Sequence, residues 1–304
     1  MPYQQRYEYQ LLGACTQTLL TLSEFMTDDA IRNYPELAAL VSDWPKFLQP
    51  ILNAQTLSGK QIVVTGAGDG IGKALAKTLA CLGANVILLG RTRSKLETVF
   101  DWINQHTNTD PSLFPAIWRA LDGTTVATLA ESIRSHYGSL HGLVHNASML
   151  GPKVPIAHYP AEQWQAVMQT NVNAVFMLNQ GLFELLDSSD HSCVIHVSST
   201  VGQQGRAYWG AYSASKFALE GLSQILADET ETAGKIRVYS INPGGTRTGM
   251  RREAYPLEDP TTLPTPEQHM SLFVFLLAGS LLPGSIAREL PTTGAQLDAR
   301  NWQE

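Results

Sequence analysis

From Gln61 onward the chain alternates short β-branched runs with longer amphipathic ones, and this alternation limits the possible folds more than any other feature. The stretches QIVVTG, NVILLG, PAIWRALD, GLVHNA, CVIHVSS and IRVYSINPG read as strands, with helical patterns filling the intervals. Fully apolar strands separated by helices cannot be half-exposed antiparallel ribbons. One parallel sheet, covered on both faces and joined by right-handed crossovers, accommodates them. The expectation is therefore an α/β fold with a doubly wound parallel sheet. Ligands of such sheets bind outside the carboxyl ends of the strands. TGAGDGIG, GRTR, HNAS, SS and NPGGT all fall there.

Before Gln61 the pattern changes: Leu11, Cys15, Leu19, Leu22 and Met26 recur at helical spacing, and Pro35 and Pro45 each stand where a helix can begin. We read residues 1–55 as a helical extension on a single domain of residues 56–304. The extension covers either the main domain or a neighbouring subunit, or it docks on a membrane or partner. A net charge of −6 with no concentrated basic surface argues against nucleic acid as a partner. Cys15, Cys81 and Cys193, odd in number and widely spaced, fit a reducing compartment without disulfides. Neither a leader pattern nor a run of about 18 apolar residues is apparent. The expected protein is soluble and cytoplasmic with no integral membrane segment.

The turn TGAGDGIG follows a strand and opens a helix, so its glycines can bring backbone close to a pyrophosphate and aim a helix N-terminus at it. Three of its four glycines, Gly66, Gly70 and Gly72, leave a wider first gap than the usual dinucleotide fingerprint. After the second strand, LLGRTR offers Arg91 where dinucleotide folds often place an acid for the ribose 2′-hydroxyl. Arg91, with Arg93 or Lys95, either receives a 2′-phosphate, which favours NADP over NAD, or is a solvated cation opening a helix. Asp69 opposes such a phosphate if it points that way. Asn146 either bonds a cofactor ribose or braces adjacent strands. Asn171, in the apolar run WQAVMQTNVNAVFML, needs partners of its own, and a satisfied core amide is the plainer reading.

GAYSASKFALEG carries Tyr212 and Lys216 on one helix face, four residues apart. An ammonium beside a phenol favours the phenolate, making tyrosine a usable acid or base near neutrality. The small residues between them are expected to admit a cofactor ring and substrate. Ser199 ends a strand thirteen residues earlier and can project over the same cleft. A serine hydrolase would want a G-x-S-x-G turn, which is missing. His141 and His145 flank a strand that holds them roughly 13 Å apart at about 3.3 Å per residue, so no metal site is expected.

Taken together these residues resemble the short-chain dehydrogenase/reductase family, a Rossmann fold, from about Leu57 to the C-terminal region. The family's T-G-x-x-x-G-I-G is matched by Thr65 to Gly72, its N-N-A-G by HNAS with departures at His145 and Ser148, its Y-x-x-x-K by Tyr212 and Lys216, and its P-G turn by Pro243 and Gly244. VILLGR, HNASMLG, QGRAYWGAYSASKFA and INPGGTRTGMR look like the YciK-like oxidoreductases within it.

The resemblance implies that Tyr212 donates a proton to a carbonyl while hydride leaves a nicotinamide. It implies that Lys216 binds the nicotinamide ribose and depresses the phenol, that Ser199 holds the carbonyl, and that Asn171 positions a water. It places cofactor contacts at Gly66, Asp69, Gly70, Ile71, Arg91, Asp122, Asn146, Tyr212, Lys216, Pro243, Gly244, Thr246 and Thr248, with Asp122 at the adenine and Thr248 at the nicotinamide end. Residues from Met250 to about Pro264, in a proline-punctuated loop, would form a mobile substrate lid. A homodimer or homotetramer pairing the helices near Ala161 and Tyr212 is also implied.

The function expected is NADP-dependent interconversion of a small carbonyl compound and its alcohol. A catalytically silent dinucleotide-binding scaffold, or an epimerase or dehydratase using the same tyrosine and lysine, are the alternatives. Met149, Leu150, Trp209 and Met250 suggest a partly apolar pocket. Arg206, Arg251 and Arg252 either pair with an acidic group or face water.

Overall fold

The computed structural model describes residues 56–281 and 290–300, so the expected N-terminal extension lies outside the described residues. Among them, seven parallel strands form one sheet in the order β3-β2-β1-β4-β5-β6-β7. The strands are β1 (Gln61–Thr65), β2 (Asn85–Gly90), β3 (Ser112–Pro115), β4 (Gly142–His145), β5 (Ser192–Val197), β6 (Ile236–Asn242) and β7 (Gln296–Asp298). The expected doubly wound architecture is present. The order reverses between β1 and β4, and a crevice opens at such a switch point.

Successive strand residues point to opposite faces, and each face has its own core. Ile62, Val64, Val86, Leu88, Cys193 and Ile195 pack under α1 (Gly70–Cys81), α2 (Arg93–His106) and α8 (Met270–Ala278). Val63, Ile87, Leu89, Leu143, Val194 and Val238 pack under α3 (Gly123–Tyr137), α5 (Ala174–Asp187) and the far end of α6 (Gly210–Glu231). Helix α8, MSLFVFLLA, is buried nearly all round, as a helix without a polar face must be. No helix of the described residues is long and apolar enough to cross a membrane.

The third strand lies earlier than PAIWRALD suggests. Ser112–Pro115 pairs with Ile87–Gly90, and Trp118–Ala120 forms a 3-10 turn. Trp118 is buried against the α3 and α5 layer, while Ile117 is 65% exposed. An apolar run buried by helices looks like a strand in sequence even where no ladder forms. Strand β7 has no apolar run to announce it in sequence; it pairs with β6 through Ser240, Ile241 and Asn242. Part of the expected lid loop is the short helix α7 (Gly249–Ala254).

Candidate active site

The glycine turn at the end of β1 is closely packed. Gly66 has φ +68, and a Cβ there would lie 2.8 Å from Asn146 Nδ2. A Cβ on Gly72 would lie 2.3 Å from the Gly66 carbonyl oxygen, so no side chain fits at the start of α1. Asn146 takes the bracing option: its Nδ2 donates to the Thr65 carbonyl at 3.0 Å, and its backbone N donates to Thr65 Oγ1 at 2.9 Å. Asp69 caps α1 by accepting from Gly70 N at 2.8 Å, and its other oxygen takes the Lys95 ammonium. That ion pair lowers the Asp69 pKa, and it consumes Lys95 as a phosphate ligand. Arg93 is likewise paired with Glu97 at 2.7 Å. Arg91 is exposed at the end of β2, and no hydrogen bond or ion pair to it is found among the described residues.

Helix α6 carries Tyr212 and Lys216, both buried, on one face toward the carboxyl end of β5. Lys216 Nζ donates to the Val197 carbonyl at 2.7 Å and stands 5.5 Å from the Tyr212 ring centre. Burial draws the Lys216 ammonium down to about 8, partly countered by the charge of Glu220 one turn on. Burial likewise pushes the Tyr212 phenol up to about 12, and the flanking hydroxyls of Ser199 and Ser148 pull it only partway back. Burial thus moves the phenol in the direction opposite to the depression expected from its cationic neighbour. Ser148 Oγ, itself buried, closes no hydrogen bond of good geometry and faces the phenol from the turn after β4. The family departure at Ser148 was the signal that could have singled it out.

The two serines between tyrosine and lysine spend their hydroxyls on packing. Ser213 Oγ donates to the Val201 carbonyl at 2.6 Å, and Ser215, fully buried, donates to the Tyr212 carbonyl at 2.7 Å. Through Val201 and Asn171 they dock α6 on its neighbours. Asn171 is part of that docking. It lies in a π-helical turn, Gln169–Asn173, between α4 (Ala161–Met168) and α5. Its Oδ1 accepts from Met149 N at 2.8 Å, and its Nδ2 donates to the Met149 carbonyl at 3.0 Å and to Ser215 Oγ at 2.9 Å. The single-turn π-bulge turns this amide inward, a feature frequent at functional sites.

The remaining expected residues border the same edge of the sheet or cap its helices. Asp122 accepts the N and Oγ1 of Thr125 at 2.8 and 2.7 Å as the N-cap of α3, bonds that hold its carboxyl below the usual range. Pro243 and Gly244 turn the chain after β6, and Thr246 Oγ1 lies 2.9 Å from His269 Nε2. Thr248 caps α7 and lies so close to the glycine turn that a Cβ on Gly70 would be 3.0 Å from its methyl. Ile71 is buried in the first turn of α1.

Two further features complete the surroundings. A row of polar side chains crosses the sheet in register: His145, His196, Ser240 and Gln296. The two imidazoles stack at 5.0 Å and share Asn179, while Glu220 accepts from Ser240 Oγ at 2.7 Å and from Gln296 Nε2 at 2.6 Å. Above Tyr212, Leu150, Val201, Trp209 and Ala254 pack with Met250 and Tyr255 into an apolar cover. Trp209 stands 5.7 Å from the Tyr212 ring and 5.8 Å from the Tyr255 ring.

A family model for short chain dehydrogenases matches residues 60–259. The oxidoreductase YciK of Escherichia coli (strain K12) is 48% identical over 221 residues, which span 73% of this chain and 87% of YciK. The 3-oxoacyl-[acyl-carrier-protein] reductase FabG of the same organism is 30% identical over 194 residues, 64% of this chain and 76% of FabG. A short chain dehydrogenase of Shigella flexneri 2a, crystallised with NADP, has a TM-score of 0.75 at 45% identity and covers 82% of this chain and 100% of its own. One from Escherichia coli CFT073, crystallised with NADPH, has a TM-score of 0.75 at 45% identity over 82% and 99% of the two chains. Sequence and fold converge on one assignment: the chain belongs to the short chain dehydrogenases.

Proposed function

We propose that this oxidoreductase reduces a carbonyl compound to an alcohol with NADPH, or runs the reverse reaction, with Tyr212 as the proton donor or acceptor. The observation that carries the reading is the face of α6, where a buried phenol with Ser199 and Ser148 beside it shares one helical turn with a buried ammonium. The residues suit a dinucleotide. The Gly66 and Gly72 turn leaves backbone bare where a side chain would clash, and Arg91 has no described partner to compete with a 2′-phosphate. Asp69, the expected opponent of that phosphate, is neutralised by Lys95. The relatives crystallised with NADP and NADPH support the same choice.

NADPH, when bound, supplies the hydride. The protein's own side chains then have separable tasks. Ser199 holds the carbonyl oxygen against Tyr212, and Tyr212 delivers the proton to it. Lys216 holds the cofactor ribose and offsets the negative charge that the phenol acquires. Asn171 fixes the π turn against α6 and so keeps Ser215 and Tyr212 in place. Gly66, Gly70, Ile71, Asp122, Asn146, Pro243, Gly244, Thr246 and Thr248 would line the cofactor's path.

The exposed Phe176 and Phe183 of α5 and Phe217 and Ile225 of α6 support a homodimer across these helices, a state that sedimentation velocity reads directly. The three widely spaced cysteines point to the cytoplasm. The test is NADPH oxidation with a panel of aldehydes, ketones and quinones, with alcohol formed in step. Tight NADPH binding with no turnover on any of them would favour the silent scaffold instead, and tighter binding of NADH would remove the argument from Arg91.

A further inference from the structure

The rim of the cover above Tyr212 holds two cations whose partners are poor. Lys153, on the loop after β4, donates from Nζ to the Ala254 carbonyl at 2.7 Å and lies over the rings of Tyr255 and Trp209 at 4.5 and 5.0 Å. Arg206, on the loop before α6, donates to Tyr255 Oη at 2.8 Å, its guanidinium 6.0 Å from that ring. No carboxylate pairs with either cation among the described residues. Arg251, the third cation against Tyr255, differs: Glu258 takes it in two bonds of 2.6 Å. The two unmatched charges thus converge on one side chain of the lid segment, and Lys153 Nζ and the Tyr212 ring both lie against the Trp209 indole, 5.0 and 5.7 Å from its ring.

We propose that the substrate is a carbonyl compound with an apolar body and an anionic end, its anion held by Lys153 and Arg206. This rests on the carbonyl-reductase reading and names the substrate class within it. Trp209, Leu150 and Met250 offer the apolar wall beside the phenol. A ring face, a phenol oxygen and a backbone carbonyl hold a cation less firmly than a charge-assisted bond to an anion. An incoming anion therefore displaces Tyr255 and Ala254 as partners at both cations. Arg251 stays with Glu258 and keeps the lid segment folded.

The test compares para-carboxybenzaldehyde with its methyl ester, which differ in charge but share the ring and reacting carbonyl. The wild-type enzyme is expected to favour the acid in kcat/KM by about tenfold or more, less so at high salt. That preference is expected to collapse in the Lys153→Met/Arg206→Met double variant and to persist in Arg206→Lys. Equal kcat/KM values for acid and ester in the wild type, or a preference that survives in the double variant, overturns the proposal. If neither aldehyde nor any compound of the wider panel is reduced, the carbonyl-reductase reading is what fails. Calorimetric binding of para-carboxybenzyl alcohol against its methyl ester then decides the anion site, since the same preference and the same collapse are required there.

Discussion

Burial moves the two ionisable groups of α6 in opposite directions, the Tyr212 phenol up to about 12 and the Lys216 ammonium down to about 8. A lysine that titrates near 8 loses its charge as pH rises through that value, so the alkaline limb of kcat/KM belongs to Lys216. Glu220 is the one charge that raises Lys216. Glu220→Gln keeps an acceptor for Ser240 while removing that charge, and it should move the alkaline limb of the pH profile to lower pH. A limb that stays in place would separate Glu220 from Lys216. At this scale Tyr212, Lys216 and Ser199 are legible in sequence because spacing on a helix and position at a strand end are local properties. The long-range contacts of Glu220, Lys153 and Tyr255 are not. Each reads as an ordinary polar or aromatic residue until β6, α7 and the loop after β4 bring its partners within reach.

Among the elements, the π turn and the histidine rung behave differently from what periodicity suggests. WQAVMQTNVNAVFML reads as one apolar helical run, and the extra residue that turns Asn171 inward leaves no local mark. The third strand departs from PAIWRALD for a related reason, since apolar residues under α3 and α5 need no ladder. On β4 and β5, His145 and His196 are both fully enclosed, and burial holds His145 at about 4 and His196 well below its usual value. Both rings are therefore neutral in the folded protein, whereas the unfolded chain takes up protons near 6.5. The unfolded state binds more protons between those values, so stability falls as pH drops through this window. For His145 alone the shift corresponds to about 3 kcal/mol. Urea titrations at successive pH values should show that loss, reduced in His145→Gln, which keeps a donor toward Asn179 without titrating. A profile flat from neutrality to pH 4 would mean that the rung is hydrated or already charged.

For the whole molecule, the parallel sheet gathers at one edge what the chain scatters over nearly two hundred residues: the turn at Gly66, the Ser148 loop, Ser199, the α6 face and Thr248. The alternation of strands and helices made this edge predictable, because every carboxyl end of a parallel sheet points the same way. The added strand β7 was hidden by its polar sequence, yet it anchors Gln296 against Glu220 and so reaches the site through the sheet. The central claim is that the Tyr212 phenol is the proton donor next to a bound nicotinamide. The most direct measurement is the single-turnover rate of hydride transfer from NADPH in Tyr212→Phe, with NADPH affinity determined on the same sample. The account predicts a loss of about a hundredfold or more in that rate with NADPH binding retained. Hydride transfer at the wild-type rate in the NADPH-saturated variant would contradict it.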